Sequence, residues 1–124
     1  MLKRLSLLTL TIVFMAAVAL AGEPTAPKGK LEKVVPKTVC MMNEQHMGKD
    51  QIPVDVDGKT YYGCCEMCKK ALAADAKKRE AIDPVSNKKV DKAQAVIAKQ
   101  EDGRVFYFES DESLAKWNAQ FDKK

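Results

Sequence analysis

Four cysteines fall within one stretch of the chain: Cys40, Cys64, Cys65 and Cys68. Thiolate is the form of cysteine that binds metal and attacks electrophiles. A helix N-terminus favours it, because unpaired N–H groups and the positive dipole end face the sulfur. Cys64 and Cys68 are four residues apart, and Cys65 and Cys68 are three apart. Either pair converges over the first turn of a helix that begins here. Cys40 lies on an earlier segment and would close a site from the opposing loop. Three thiolates with a fourth ligand suit zinc(II), and thiolate with thioether suits copper(I). Met41, Met42, Met47 and Met67 stand beside the cysteines, which favours copper(I) over zinc(II). The expected ligands are Cys40, Cys64 and Cys68, with Cys65 as a fourth or exchange ligand. Met42 and the single histidine, His46, are further candidates, although a lone loop imidazole beside Asn43, Glu44 and Gln45 also fits a solvated surface. Met67 reads as core-facing.

Other chemistries use the same residues. An exported chain with an even cysteine count fits structural disulfides, such as Cys40 with Cys64 or Cys68. The adjacent pair Cys64-Cys65 argues against a purely stapled scaffold, since bonding neighbours strains the backbone. Cys65-Glu66-Met67-Cys68 is a C-x-x-C at a helix start, as in thiol oxidoreductases, but no βαβ pattern surrounds it. Free buried thiols are a further alternative. No Ser-His-Asp set, phosphate loop or paired-carboxylate site is present, and a single histidine argues against the common hydrolytic chemistries. The chain reads as a binding protein and not as an enzyme.

The elements that position these residues are short. Ile52–Val56 and Lys59–Gly63 are β-prone and separated by Asp57-Gly58, a hairpin signal. Cys65 to Ala76 follows as a helix, with an apolar face of Met67, Ala71, Leu72 and Ala74. A second stretch repeats the order. Ala95–Ala98 and Arg104–Phe108 flank Asp102-Gly103. Ser110 to Gln120 is a helix with Ser110 as N-cap and an apolar stripe of Leu114, Trp117 and Phe121. Through the hairpins the copies align at a constant offset: Asp57 on Asp102, Gly58 on Gly103, Lys59 on Arg104, Tyr61 on Phe106, Tyr62 on Tyr107. The pattern reads as an internal duplication. Chance likeness of two hairpins is the alternative. The second copy carries Ser86, Glu109, Ser110 and Ser113 where the first has Cys40, Cys64, Cys65 and Cys68. It is expected to bind no metal, and to rest on its own core of Val96, Ile97, Val105, Phe106, Phe108, Leu114 and Trp117. Each copy alone is too small to bury a sufficient core.

The rest of the sequence bounds the setting. Lys3 and Arg4 precede an uncharged apolar run, Leu7 to Leu20, and Ala19-Leu20-Ala21 has the small-x-small form of a cleavage site. Residues 1–21 read as a signal peptide, with an uncleaved anchor as the alternative. Residues 22–34 are rich in Pro, Gly and Lys and read as a flexible tether. Residues 35–80 form the metal-binding unit and 81–124 the unit without cysteines. The net charge is +4 over 124 residues. Taking Lys3 and Arg4 from the 21 basic residues leaves 19 against 17 acidic ones, which implies no nucleic-acid partner. Hydrophobic residues at 46% and charged residues at 31% exclude a wholly disordered chain and a multi-span membrane protein.

The run Thr60-Tyr61-Tyr62-Gly63-Cys64-Cys65-Glu66-Met67-Cys68, preceded by Cys40, resembles the TRASH and YHS group of metal-binding domains. TRASH domains carry one cysteine, a gap, and then C-x3-C, matched here by Cys40, Cys64 and Cys68. The gap is slightly longer than usual, and Cys65 stands where YHS members usually have serine. The second stretch, from Asp83-Pro84-Val85-Ser86 to Glu109-Ser110, is similar to a YHS domain without its cysteines. The resemblance implies heavy-metal sensing, trafficking or resistance, often with copper. The expectation is an α+β protein of two treble-clef or zinc-ribbon-like units, each a β-hairpin plus a helix. It would be periplasmic or secreted, with no stable membrane insertion after cleavage. It would bind one soft metal ion for sequestration or handover, with a metal transporter or other trafficking protein as partner. The alternative is a disulfide-stapled interaction module without metal.

Overall fold

The computed structural model describes residues 26–122. The expected signal peptide lies outside them. No helix among the described residues is long and apolar enough to cross a membrane. The chain is α+β, built of short antiparallel strands and two nine-residue helices. In order these are β1 (Glu32–Lys33), β2 (Val39–Cys40), β3 (Gln45–His46), β4 (Ile52–Val56), β5 (Lys59–Gly63), α1 (Glu66–Ala74), β6 (Glu80–Ile82), β7 (Lys89–Asp91), β8 (Val96–Lys99), β9 (Val105–Phe108) and α2 (Asp111–Ala119). A small turn-linked strand pair, a longer hairpin and a helix follow one another twice: β2–β3, β4–β5, α1, and then β6–β7, β8–β9, α2.

The first hairpin forms where its dipeptide demands. Asp57 and Gly58 have φ of 51° and 77°, the doubly left-handed turn whose twist matches the flanking strands. Val54 pairs with Tyr61, and both are buried, while Pro53 and Asp55 face outward. The second hairpin differs by one residue. Its loop is Glu101-Asp102-Gly103, closed by Gly103 N–H on the Gln100 carbonyl at 3.0 Å, with Gly103 at φ 91°. Ala98 therefore pairs with Phe106, whereas the residue that pairs with Tyr61 is Val54. The constant offset holds along the second strand and into the helix, and slips by one on the first strand.

Both helices begin where the second strand ends, with Cys65 and Ser110 at their N-cap positions, and only Ser110 makes a side-chain capping bond. Helix α1 stops at Ala74, earlier than the sequence implies. Asp75 leaves the helix and its carboxylate accepts from Lys77 N–H at 2.9 Å, opening a 3-10 turn over Ala76–Arg79. Arg79 Nη1 donates back to the Leu72 carbonyl at 2.6 Å, satisfying a helix-end acceptor. Of the expected apolar face only Leu72 is buried, and Met67 is 80% exposed. Met67 lies five residues before Leu72, about 140° around the helix, so it points away from the core.

The segment read as a tether is docked from Pro27 on: Pro27 is buried, and Lys28 N–H donates to Gln100 Oε1 at 2.9 Å. Leu31 is buried with Ala98, Phe108 and Leu114, and β1 adds a third strand to β8. Asn118 clasps Leu31 at both its N–H (2.8 Å) and its carbonyl (2.9 Å), and Trp117 Nε1 donates to the Gly29 carbonyl at 3.0 Å. One leucine in a Lys- and Gly-rich run has no periodicity to betray this. The main core joins both halves. Val39, Met41, Val54, Tyr61 and Leu72 meet Ile97, Val105 and Tyr107. Ile97 and Val105 thus belong to a shared core, and not to a separate core of the second half.

Candidate metal centre

Three elements place the four cysteines. Cys40 ends β2, Cys64 follows β5, Cys65 is the N-cap of α1, and Cys68 lies in its first turn. The Sγ atoms of Cys40, Cys64 and Cys68 all lie within 4.8 Å of one another, and Cys64 and Cys68 are 3.6 Å apart. These three thiols are the only histidine, cysteine or carboxylate group of metal-binding geometry among the described residues. Cys65 is exposed and stands outside the trio, with its sulfur 3.3 Å from that of Cys68. All four cysteines are free thiols. His46, on β3 opposite Val39, is not part of the group. Met41 is fully buried in the shared core and Met42 packs half-buried against it.

Two close approaches make this convergence possible. The end of β5 runs against the first turn of α1 at Gly63, where a Cβ would come within 2.9 Å of Cys68 Cβ. Only glycine lets the strand lie that near the Cys68 backbone. On the other side the turn from Met41 to Glu44 carries Cys40 toward the helix. It is held by Met41 N–H on the Tyr62 carbonyl at 2.9 Å, and Asn43 Nδ2 donates to Cys64 Sγ at 3.4 Å.

The electrostatics differ among the four thiols. Burial pushes Cys40 up, but the N–H groups of Asn43 and Met42, the Cys64 thiol and the Cys64 N–H face its sulfur and hold it below the usual thiol value. The hydrogen bond to the Cys40 thiol, then that to Cys68, with burial, push Cys64 up to about 12. Burial and the Cys65 contact raise Cys68. The Cys68 N–H, followed by its thiol, lowers Cys65. Cys40 is thus lowered while Cys64 and Cys68 are raised, so the latter two hold their protons more tightly than free thiols. A cation that binds here must displace those protons.

The second half shows the same frame with other side chains. Asp83, fully buried, accepts from the N–H groups of Val85 (2.7 Å) and Ser86 (3.1 Å) on one oxygen. Its other oxygen accepts from Glu109 N–H (2.8 Å) and Ser113 Oγ (2.6 Å). Cys40 faces the N–H groups two and three residues ahead and that of Cys64 in the same way. The residue that takes the place of Cys40 is therefore Asp83, and not Ser86. Ser86 instead donates to Glu109 Oε2 at 3.3 Å. Ser113 lies in the first turn of α2, as Cys68 does in that of α1.

Sequence reasoning missed Asp83, Gly63, Asn43 and Lys92. Lys92 lies just after β7, is 5% exposed, and donates to the Met41 carbonyl at 2.8 Å and to Glu44 Oε1. Asp83 had a local signal, since Asp-Pro-x-Ser favours a turn in which Asp caps the N–H groups ahead of it. Nothing local marks Lys92. Comparison with protein-family models, curated proteins and solved structures gives no match.

Proposed function

We propose that the protein binds one soft metal ion through Cys40, Cys64 and Cys68, copper(I) in preference to zinc(II), and serves in metal sequestration or handover. The observation that carries this reading is the convergence of three sulfurs from three elements within 4.8 Å. The second half supports it. There a carboxylate-to-hydroxyl bond of 2.6 Å, Asp83 to Ser113, ties the turn to the helix. The first half has three sulfurs at that place, and thiols are weak hydrogen-bonding partners. A thiophilic cation would tie turn to helix there. Three protein thiolates leave a coordination position for a fourth ligand, and exposed Cys65, beside Cys68, is the exchange ligand that handover needs. The motif and the order of elements accord with the TRASH and YHS resemblance. The apolar N-terminal run accords with export to the periplasm or beyond, where a transporter or another trafficking protein would take the metal.

Anaerobic purification with metal analysis and thiol counting tests the proposal. One equivalent of metal per chain is expected, with four thiols recovered after denaturation and chelation. Cys64→Ser/Cys68→Ser should abolish the metal. Undiminished binding in that variant, or a native mass lowered by disulfide formation with no metal, overturns it. The second outcome is what the stapled interaction module requires.

A further inference from the structure

We infer that Lys92, supplied by the half without cysteines, is a positioning residue for the metal centre: it locks the Met41–Glu44 turn so that Cys40 points at Cys64 and Cys68. The inference rests on the metal-binding reading above. The turn is one that the chain does not hold cheaply. Glu44 is a non-glycine residue at φ 56°, a conformation that persists only when its surroundings over-determine it. First-half contacts hold the start of the turn, through Met41 N–H on the Tyr62 carbonyl, but the bonds at its Glu44 end come from the second half. Val105 N–H donates to the Glu44 carbonyl at 3.0 Å, and His46 N–H donates to the Gly103 carbonyl at 2.8 Å. Lys92 Nζ joins the Met41 carbonyl and the Glu44 carboxylate, with the Tyr107 ring 5.1 Å away. Buried lysine is rare without such partners. Its ammonium bridges the two ends of the turn, from the residue after Cys40 to Glu44. Lys92 is itself held by its N–H on the Arg79 carbonyl at 2.9 Å, so the clamp has a fixed base. The cysteine-free half is thus a brace for the site, beyond whatever stability its own core contributes.

The test uses the mature full-length chain with cobalt(II) as probe, because the sulfur-to-cobalt charge-transfer band reports how many thiolates bind. Lys92→Met keeps the apolar stem and removes the ammonium. It should reduce the band by about one third, as Cys40 drops out of a three-thiolate site. Affinity by chelator competition should fall about 10–100-fold, the usual effect of losing an outer partner of a ligand. In the metal-free chain the same variant should speed alkylation of buried Cys40 and leave Cys65 unchanged. Lys59→Met breaks another ion pair between the halves, to Asp91 at 2.7 Å, and should keep the full band. If Lys92→Met does not fold by circular dichroism, Glu44→Gln should give a smaller loss of the same sign. A folded Lys92→Met with full band, affinity and Cys40 protection overturns the inference, as does an unchanged Glu44→Gln when Lys92→Met is unfolded. A wild-type chain with no thiolate band removes the metal reading itself, and the role of Lys92 at the centre falls with it.

Discussion

At the residue scale the centre depends on one glycine as much as on its thiols. A Cβ at Gly63 would meet Cys68 Cβ at 2.9 Å and the Cys68 carbonyl carbon and Lys69 nitrogen at 3.3 Å. Two of those three atoms are backbone, so no rotamer change relieves the clash. Gly63→Ala should cost about 1–3 kcal/mol, as overpacking does. It should lower metal affinity further, because relief requires Cys68 to move away from Cys40. Denaturant unfolding of the apo chain, set beside chelator competition, separates the two effects. Cys65 stands apart from the other three thiols. It is exposed and outside the trio, so the proposed function predicts that the ion is held without it. Cys65→Ser should keep one metal equivalent by elemental analysis and slow metal transfer to a competing thiol.

At the element scale the two helices share an N-terminus in two versions. Ser110 accepts from Ser113 N–H at 3.2 Å and caps α2, while Cys65 makes no such bond and leaves α1 uncapped. A serine or similar cap is worth about 1 kcal/mol. The same Cys65→Ser variant should therefore stabilise the metal-free chain and raise its Tm by roughly 4–8 °C for a domain of this size. An unchanged or lowered Tm would show that the α1 terminus is not limiting. The hairpins differ by one loop residue, and that is why the strands ahead of them slip in register while the strands behind and the helices stay aligned.

At the scale of the whole molecule the two halves are welded by polar contacts around a shared core. Asp91 accepts from Lys59 Nζ at 2.7 Å and from Tyr61 hydroxyl at 2.8 Å, both in the other half. Burial, then the hydrogen bond to Asp91 and its charge, pushes the Tyr61 hydroxyl up to about 12. An unfolded tyrosine ionises near 10. The folded state holds that proton longer, so this stabilisation is complete below about pH 10 and is lost as pH rises toward 12. Alkaline denaturation should show a transition in that window, with tyrosinate absorbance rising as the halves part. Tyr61→Phe should shrink the tyrosinate step and make the fall in stability shallower; the remainder belongs to Tyr107, whose hydroxyl burial also pushes well above its ordinary value. An unaltered alkaline profile would refute the linkage.

What the sequence determined alone was local. Asp57-Gly58 dictates a hairpin through its own backbone preferences, Ser110 dictates a helix start, and the spacing of Cys64 and Cys68 dictates two sulfurs over one helical turn. Cys40, Cys64 and Cys68 were legible as a set because residue type and spacing carry that information without knowledge of the fold. The remainder is long-range, and no window along the chain contains it. Leu31 docks because it meets Ala98, Phe108 and Leu114. Met67 turns outward because Leu72 is the face that meets the hairpin. Asp83 takes the position of Cys40 because the N–H groups that it accepts from include one 26 residues away. Lys92 reaches a carbonyl 51 residues earlier, and only the packing of one half on the other decides that. Residue chemistry placed the thiols in one neighbourhood, and tertiary packing decided how rigidly they are aimed.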